Sequence, residues 1–305
     1  MDARKRFNRL LRVGGTMIAL ILLVILISRQ GWEEILAGIR RIPPEYFLLA
    51  IALSLLSRLA VAVRWHILLN SAGVDSSVKT SLRITFAGLF SSNFLPTTIG
   101  GDVFRLAMAV RMGWDKVIAA ASLVVDRLVG MAGMASAVVF GLGPLAQALS
   151  GVSPSMHVAG STITAGLAGR LKRIGLSLFE AGAIWLRSPR GLLLAFASTW
   201  VHQLCVFAAV WLLLTGQGAE IDFWTAGGLW SFSYFVTLLP ISINGLGVQE
   251  LSMTTIYSTL GGVGIPEAAT AALLVRTVQV LASVPGALFL SDILDSARQS
   301  GTQIE

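Results

Sequence analysis

The chain has 305 residues, is 55% hydrophobic and only 13% charged, and carries a net charge of +7 and one cysteine, Cys205. Soluble domains carry about 25% charged residues, so this composition excludes an ordinary soluble enzyme, and the positive excess fits cytoplasmic loops and anionic lipid rather than nucleic acid. One cysteine excludes an internal disulfide and a thiolate cluster. With no Walker loop, zinc-protease motif or nucleophile elbow in the sequence, neither ATP hydrolysis nor any metal or cofactor is expected.

The chain reads as one all-α integral membrane domain over residues 1–305, with about six to eight membrane segments. Residues 1–12 hold five basic side chains, Arg4, Lys5, Arg6, Arg9 and Arg12, against Asp2. An uncleaved first span is expected at about 13–28, with a cytoplasmic N-terminus. A mixed-charge connection, 29–45, ends at Pro43-Pro44. The next span is expected at about 46–69, with Arg64 reaching the interface and Trp65 in an aromatic belt. Arg58 lies deeper.

The segment from Arg83 to Lys116 has basic residues at both ends, Arg83 on one side and Arg105, Arg111 and Lys116 on the other. The reading is a re-entrant hairpin open to the cytoplasm: in through 85–95, turning at 96–101, back through 103–110. A span at about 117–142 follows. Residues 143–169 have no formal charge but hold Pro144 and Pro154. One more crossing is expected there, because 170–190 is basic. A surface amphipathic helix is expected at 171–187. A span at about 191–214, an interrupted segment at about 223–260 and a last span at about 266–291 return the C-terminus to the cytoplasm.

Two of these segments share a pattern. Leu95-Pro96-Thr97-Thr98-Ile99-Gly100 and Leu239-Pro240-Ile241-Ser242-Ile243-Asn244-Gly245 both read Leu-Pro-x-Ser/Thr-Ile followed by Gly, 144 positions apart. Proline and glycine break helices, and broken backbone at membrane depth is tolerated only where protein or water covers it. Two further landmarks repeat in the same order: Trp65 with Trp211, and Arg127 with Arg276. The repeat halves are about 46–142 and 191–291, joined by a linker and cytoplasmic helix at about 143–190. The charge map places the ends of the two interrupted segments on opposite sides, which is an inverted-topology repeat as in many secondary transporters.

Ionisable residues inside spans are functional candidates. These are Arg58, Asp102, Arg105, Asp126, Arg127, Glu250 and Arg276. Beside them stand the breakers Pro96, Gly100, Gly101, Pro240, Gly245 and Gly247. Two roles are open for the charged set. They could form structural ion pairs, such as Asp102 with Arg127 and Glu250 with Arg276, or they could bind a substrate headgroup, since an arginine fork holds phosphate bidentately. His66 and His202 are expected to be packed or interfacial.

The motif set resembles the lysylphosphatidylglycerol synthase transmembrane-region family of flippase-like membrane proteins. It consists of Arg64-Trp65 with Leu68-Leu69 and Gly73, Leu95-Pro96 to Asp102 with Arg105, Asp126-Arg127 with Gly130, and Pro240 to Gly247 with Glu250. The resemblance covers roughly 10–292. It implies an inner-membrane protein that moves an anionic or amphipathic phospholipid, or a polyprenyl-phosphate-linked lipid, between leaflets by alternating access. Synthase activity is not expected, since no aminoacyl-transferase domain is read after 292. The alternatives are a membrane-embedded enzyme using Asp102 or Asp126 as base, and a non-catalytic partner of a lipid-synthesising enzyme.

Overall fold

A computed structural model describes residues 40–93, 100–150, 184–238 and 245–289. Pro96, Pro240, the 13–28 span, most of the linker and the tail beyond 289 lie outside the described residues. Every described element is helical: α1 (Pro44–Ser71), α2 (Val78–Ser92), α3 (Gly100–Arg111), α4 (Lys116–Ala137), α5 (Leu142–Ser150), α6 (Pro189–Thr215), α7 (Phe223–Thr237), α8 (Val248–Leu260) and α9 (Ile265–Ser283), with a 3-10 turn at Val138–Gly141 between α4 and α5.

The sequence explains where they start and stop. Helices α1 and α6 each begin with proline, whose missing N–H costs nothing in a first turn. Each is followed by a glycine at positive φ, Gly73 and Gly218, a conformation that glycine alone takes readily. Asp222 starts α7 by accepting hydrogen bonds from the backbone N–H groups of Trp224 and Thr225, both at 3.0 Å. Its carboxyl is held below the usual carboxylate range by the Thr225 hydroxyl and these amides.

Among the described residues, four helices are long and apolar enough to cross a membrane: Pro44–Ser71, Lys116–Ala146, Pro189–Thr215 and Ile265–Phe289. Helices α2, α3, α7 and α8 have 15, 12, 15 and 13 residues. At about 1.5 Å per residue none of them alone crosses a hydrocarbon core of about 30 Å.

Two quartets emerge, α1 to α4 and α6 to α9. Their helix lengths run 28, 15, 12, 22 and 27, 15, 13, 19. The counterparts α1 and α6 share the most extensive helix contact in the described structure. Ser71 lies on Gly191, Ser198 donates to the Ala60 carbonyl, Ser57 bonds His202, and Ile42 and Tyr46 lie against Gly216. As one number falls the other rises, so the two helices run antiparallel. The partners are also exchanged: α4 packs on α6 as α9 packs on α1.

Within each quartet the short helices pair. Gly88 of α2 and Gly101 of α3 touch so closely that a Cβ on either would lie 2.9 or 2.7 Å from the other's carbonyl oxygen. In the second quartet Tyr257 of α8 donates to the Ala226 carbonyl of α7 at 2.6 Å, while Gly261 lies near Leu229. Small residues let helix backbones approach where lipid offers no hydrophobic drive.

Two expectations are corrected. Arg64 and Trp65 do not sit at the interface. Both are buried, Trp65 completely, because Arg64 has a carboxylate partner inside and the indole N–H donates to Ser122 at 3.1 Å. The third span does not stop at Leu142 but continues into α5. Of the expected surface helix at 171–187, only 184–187 is described. There Trp185 is buried and donates to the Leu68 carbonyl at 2.8 Å, pinning this segment to the end of α1.

Candidate functional site

Five charged side chains form one chain of ion pairs in the first quartet. Asp126, on α4 and 2% exposed, accepts from Arg64 Nε of α1 at 2.7 Å and from Arg105 Nη1 of α3 at 3.2 Å. The same Arg105 nitrogen reaches Asp102 Oδ1 at 3.2 Å. Asp102 Oδ2 then accepts from Arg127 Nε on α4. Arg64 also donates to Thr199 of α6 at 3.2 Å, and the Arg105 guanidinium lies 4.2 Å from the Trp65 ring centroid. Buried charge is costly unless paired and hydrogen-bonded, and here every carboxylate oxygen named has an arginine.

The second quartet repeats one link of that chain. Glu250 occupies the first turn of α8 as Asp102 occupies that of α3. Arg276 Nε of α9 donates to Glu250 Oε1 at 2.7 Å, just as Arg127 of α4 meets Asp102. The paired residues are separated by 25 and 26 positions. Glu250 Oε2 accepts the Gly247 N–H at 2.8 Å, closing the first turn of α8. Gly245 and Gly247 both have positive φ, which explains why the second break needs glycine at these positions.

Between the quartets lies a cavity of about 300 Å³. It is lined by Arg58 and Ser57 of α1, Arg127 of α4, His202 of α6, Tyr234 of α7 and Arg276 of α9, among others. Asn93, at the end of α2, and Ser283 of α9 also line it and bond each other at 2.8 Å. The lining mixes hydroxyls, amides and three guanidinium groups with Leu89, Val206 and Leu213. Such a lining sets cationic and polar groups beside apolar surface. Among the described residues no three His, Cys, Asp or Glu side chains are grouped to hold a metal.

The structure therefore divides the expected site residues. Arg58, Arg127, Arg276 and Gly245 line the cavity. Asp102, Arg105, Asp126 and Glu250 do not. They stand behind it in ion pairs, and Arg105 is buried against Trp65 rather than presented to a ligand. Gly100, Gly101 and Gly247 serve the first turns of α3 and α8. Sequence reasoning missed Ser57, His202, Asn93 and Ser283 at the cavity. One signal was present: Ser54, Ser57 and Arg58 sit at helical spacing inside an apolar span, the pattern of a polar face turned away from lipid.

The family described as "Lysylphosphatidylglycerol synthase TM region" has a sequence model that matches residues 12–286. A UPF0104 membrane protein from Methanocaldococcus jannaschii is 25% identical over 118 residues, which is 38% of this chain and 35% of that protein. The match thus spans about a third of that relative's length.

Proposed function

Since the chain belongs to the lysylphosphatidylglycerol synthase TM region family, we propose that it is a carrier moving an amphipathic, phosphate-bearing lipid between membrane leaflets. The observation behind this reading is the arginine-lined cavity between two similarly built quartets whose first helices, α1 and α6, run antiparallel. The headgroup occupies the cavity and the acyl chains stay in the bilayer. Helices α2–α3 and α7–α8 act as re-entrant hairpins entering from opposite sides, with the N- and C-termini cytoplasmic in an inner membrane. Binding sites between inverted repeats at broken helices are the common plan of secondary transporters.

Arg127 and Arg276 give the mechanism its moving parts. Each lines the cavity and each is bonded to a carboxylate at the first turn of a short helix. A phosphate in the cavity competes with Asp102 and Glu250 for these forks. Binding thereby loosens α3 against α4 and α8 against α9, and the cavity can open to the other side. An enzyme reading is disfavoured by the same geometry. Asp102 and Asp126, the candidate bases, are engaged by arginines and do not line the cavity.

Transport in proteoliposomes, read beside folded yield in detergent, tests the proposal. Arg127→Ala, and Arg276→Ala combined with Glu250→Gln so that no buried carboxylate loses its partner, should insert and fold yet lose lipid movement, with lysine a poor substitute because it lacks the fork. Wild-type transport by a well-folded double variant would remove the reading.

A further inference from the structure

We propose that the cavity selects lipids whose headgroup is net anionic and lacks an ammonium group, with Arg58 as the charge-selecting residue. The inference rests on the carrier reading for where the headgroup sits, but its argument comes from a count of charges around the cavity. Three guanidinium groups line it: Arg58, Arg127 and Arg276. Two of these have a carboxylate each, Asp102 and Glu250. Arg58 has neither hydrogen bond nor ion pair among the described residues, and its Nε is fully buried without a partner. It lies near the middle of α1, a helix long and apolar enough to span. A cation placed there is costly without a counter-charge. Its neighbours in the lining are Ser57 and His202, which satisfy each other at 2.6 Å, and Tyr234. None of them is a carboxylate.

The complementary observation concerns acids. Among the described residues, no Asp or Glu lines the cavity. Asp102, Asp126 and Glu250, the buried or nearly buried acids behind it, are each bonded to arginine. The segments 94–99 and 239–244, which adjoin the lining residues Asn93 and Leu238 in sequence, contain no acidic residue. A headgroup ammonium entering this cavity therefore loses its hydration and meets like charge with no carboxylate to accept it, whereas a phosphodiester meets an unpaired guanidinium. A phosphatidylglycerol-type headgroup fits: one negative charge for Arg58 and hydroxyls for the Ser, Asn and Gln side chains. Phosphatidylethanolamine is penalised, and an aminoacylated phosphatidylglycerol, with its added ammonium groups, more so. The site is thus chemically opposed to the lysylated lipid of the family's description.

The test measures binding separately from transport. The full chain is purified in a neutral detergent and mixed with equal amounts of phosphatidylglycerol, phosphatidylethanolamine and lysyl-phosphatidylglycerol. Retained lipid is counted by native mass spectrometry. Phosphatidylglycerol should dominate. Arg58→Gln, which keeps hydrogen-bonding atoms but no charge, should lower its retention on the order of tenfold, the scale of a lost charge-assisted hydrogen bond. Gln279→Glu, a same-size change in the lining, should lower it similarly by placing a negative charge in the cavity that repels the phosphate. A second variant guards against a folding defect in the first. Equal or preferred retention of the lysylated lipid, no retention of any of the three, or phosphatidylglycerol binding unchanged in both variants overturns the inference. Proteoliposomes of the same lipids then separate the two ideas: selective binding without movement leaves the selectivity standing and removes the carrier, while movement of the lysylated lipid in preference keeps the carrier and removes the selectivity.

Discussion

Asp126 shows how differently two neighbouring pairs weigh. It is 2% exposed and serves two arginines, so Asp126→Asn leaves Arg64 and Arg105 buried with a single carboxylate, Asp102, reaching only one of them. Breaking a buried pair costs about 3–5 kcal/mol. Arg127 is 40% exposed at its side chain, so losing its Asp102 partner is screened and closer to about 1 kcal/mol, and Arg105, the other partner of Asp102, keeps Asp126. Thermal unfolding in detergent should therefore show a large drop in midpoint for Asp126→Asn and a small one for Asp102→Asn. Transport should fail in both, for lack of folded protein in the first and for lack of the switchable pair in the second. Equal destabilisation by the two changes would show that Asp126 is not the centre of the network.

In the re-entrant reading each short-helix hairpin has its two outer ends on one side of the membrane. The outer ends of the first are Val78 and Met112, both exposed. Those of the second are Trp224 and Thr259, exposed as well. If the hairpins are re-entrant from opposite sides, single cysteines at Val78 and Met112, in a Cys205→Ala background, should react with an impermeant reagent from the cytoplasm. Cysteines at Trp224 and Thr259 should react only from outside. Reaction of Val78 and Met112 from opposite faces would make α2–α3 a plain crossing. The glycine contacts support the hairpin at this scale. Gly88→Ala would force α2 away from α3, since its Cβ would lie 2.9 Å from the Gly101 carbonyl and 3.0 Å from Arg105 Cγ.

The whole molecule was legible from sequence where composition and charge speak, and opaque where packing decides. The expected span starts at about 46 and about 191 lie two residues from the observed starts of α1 and α6, Pro44 and Pro189, because an apolar run is visible in composition and proline suits a first turn. The Asp102–Arg127 and Glu250–Arg276 pairs were readable from matched positions in the two halves. The burial of Arg64 and Trp65 was not, since an arginine-tryptophan pair at a span's end reads equally as an interfacial belt until Asp126 is seen opposite. The sequence reads His202 only as packed or interfacial, because nothing in its surroundings shows Ser57 of a distant helix bonded to it. The same tertiary view exposes what must move. Asn93 and Ser283 join the end of α2 to α9 across the quartets by a 2.8 Å bond at the cavity wall. Alternating access requires the quartets to part and rejoin, so a fixed link there should stop it. An Asn93→Cys, Ser283→Cys double variant in the Cys205→Ala background should form a disulfide on oxidation, arrest lipid movement in proteoliposomes, and recover on reduction. Each single variant should transport under both conditions. Undiminished movement by the oxidised double variant, with the link verified by mass spectrometry, would show that lipid crosses without relative motion of the two quartets, along a fixed groove rather than through an alternating cavity.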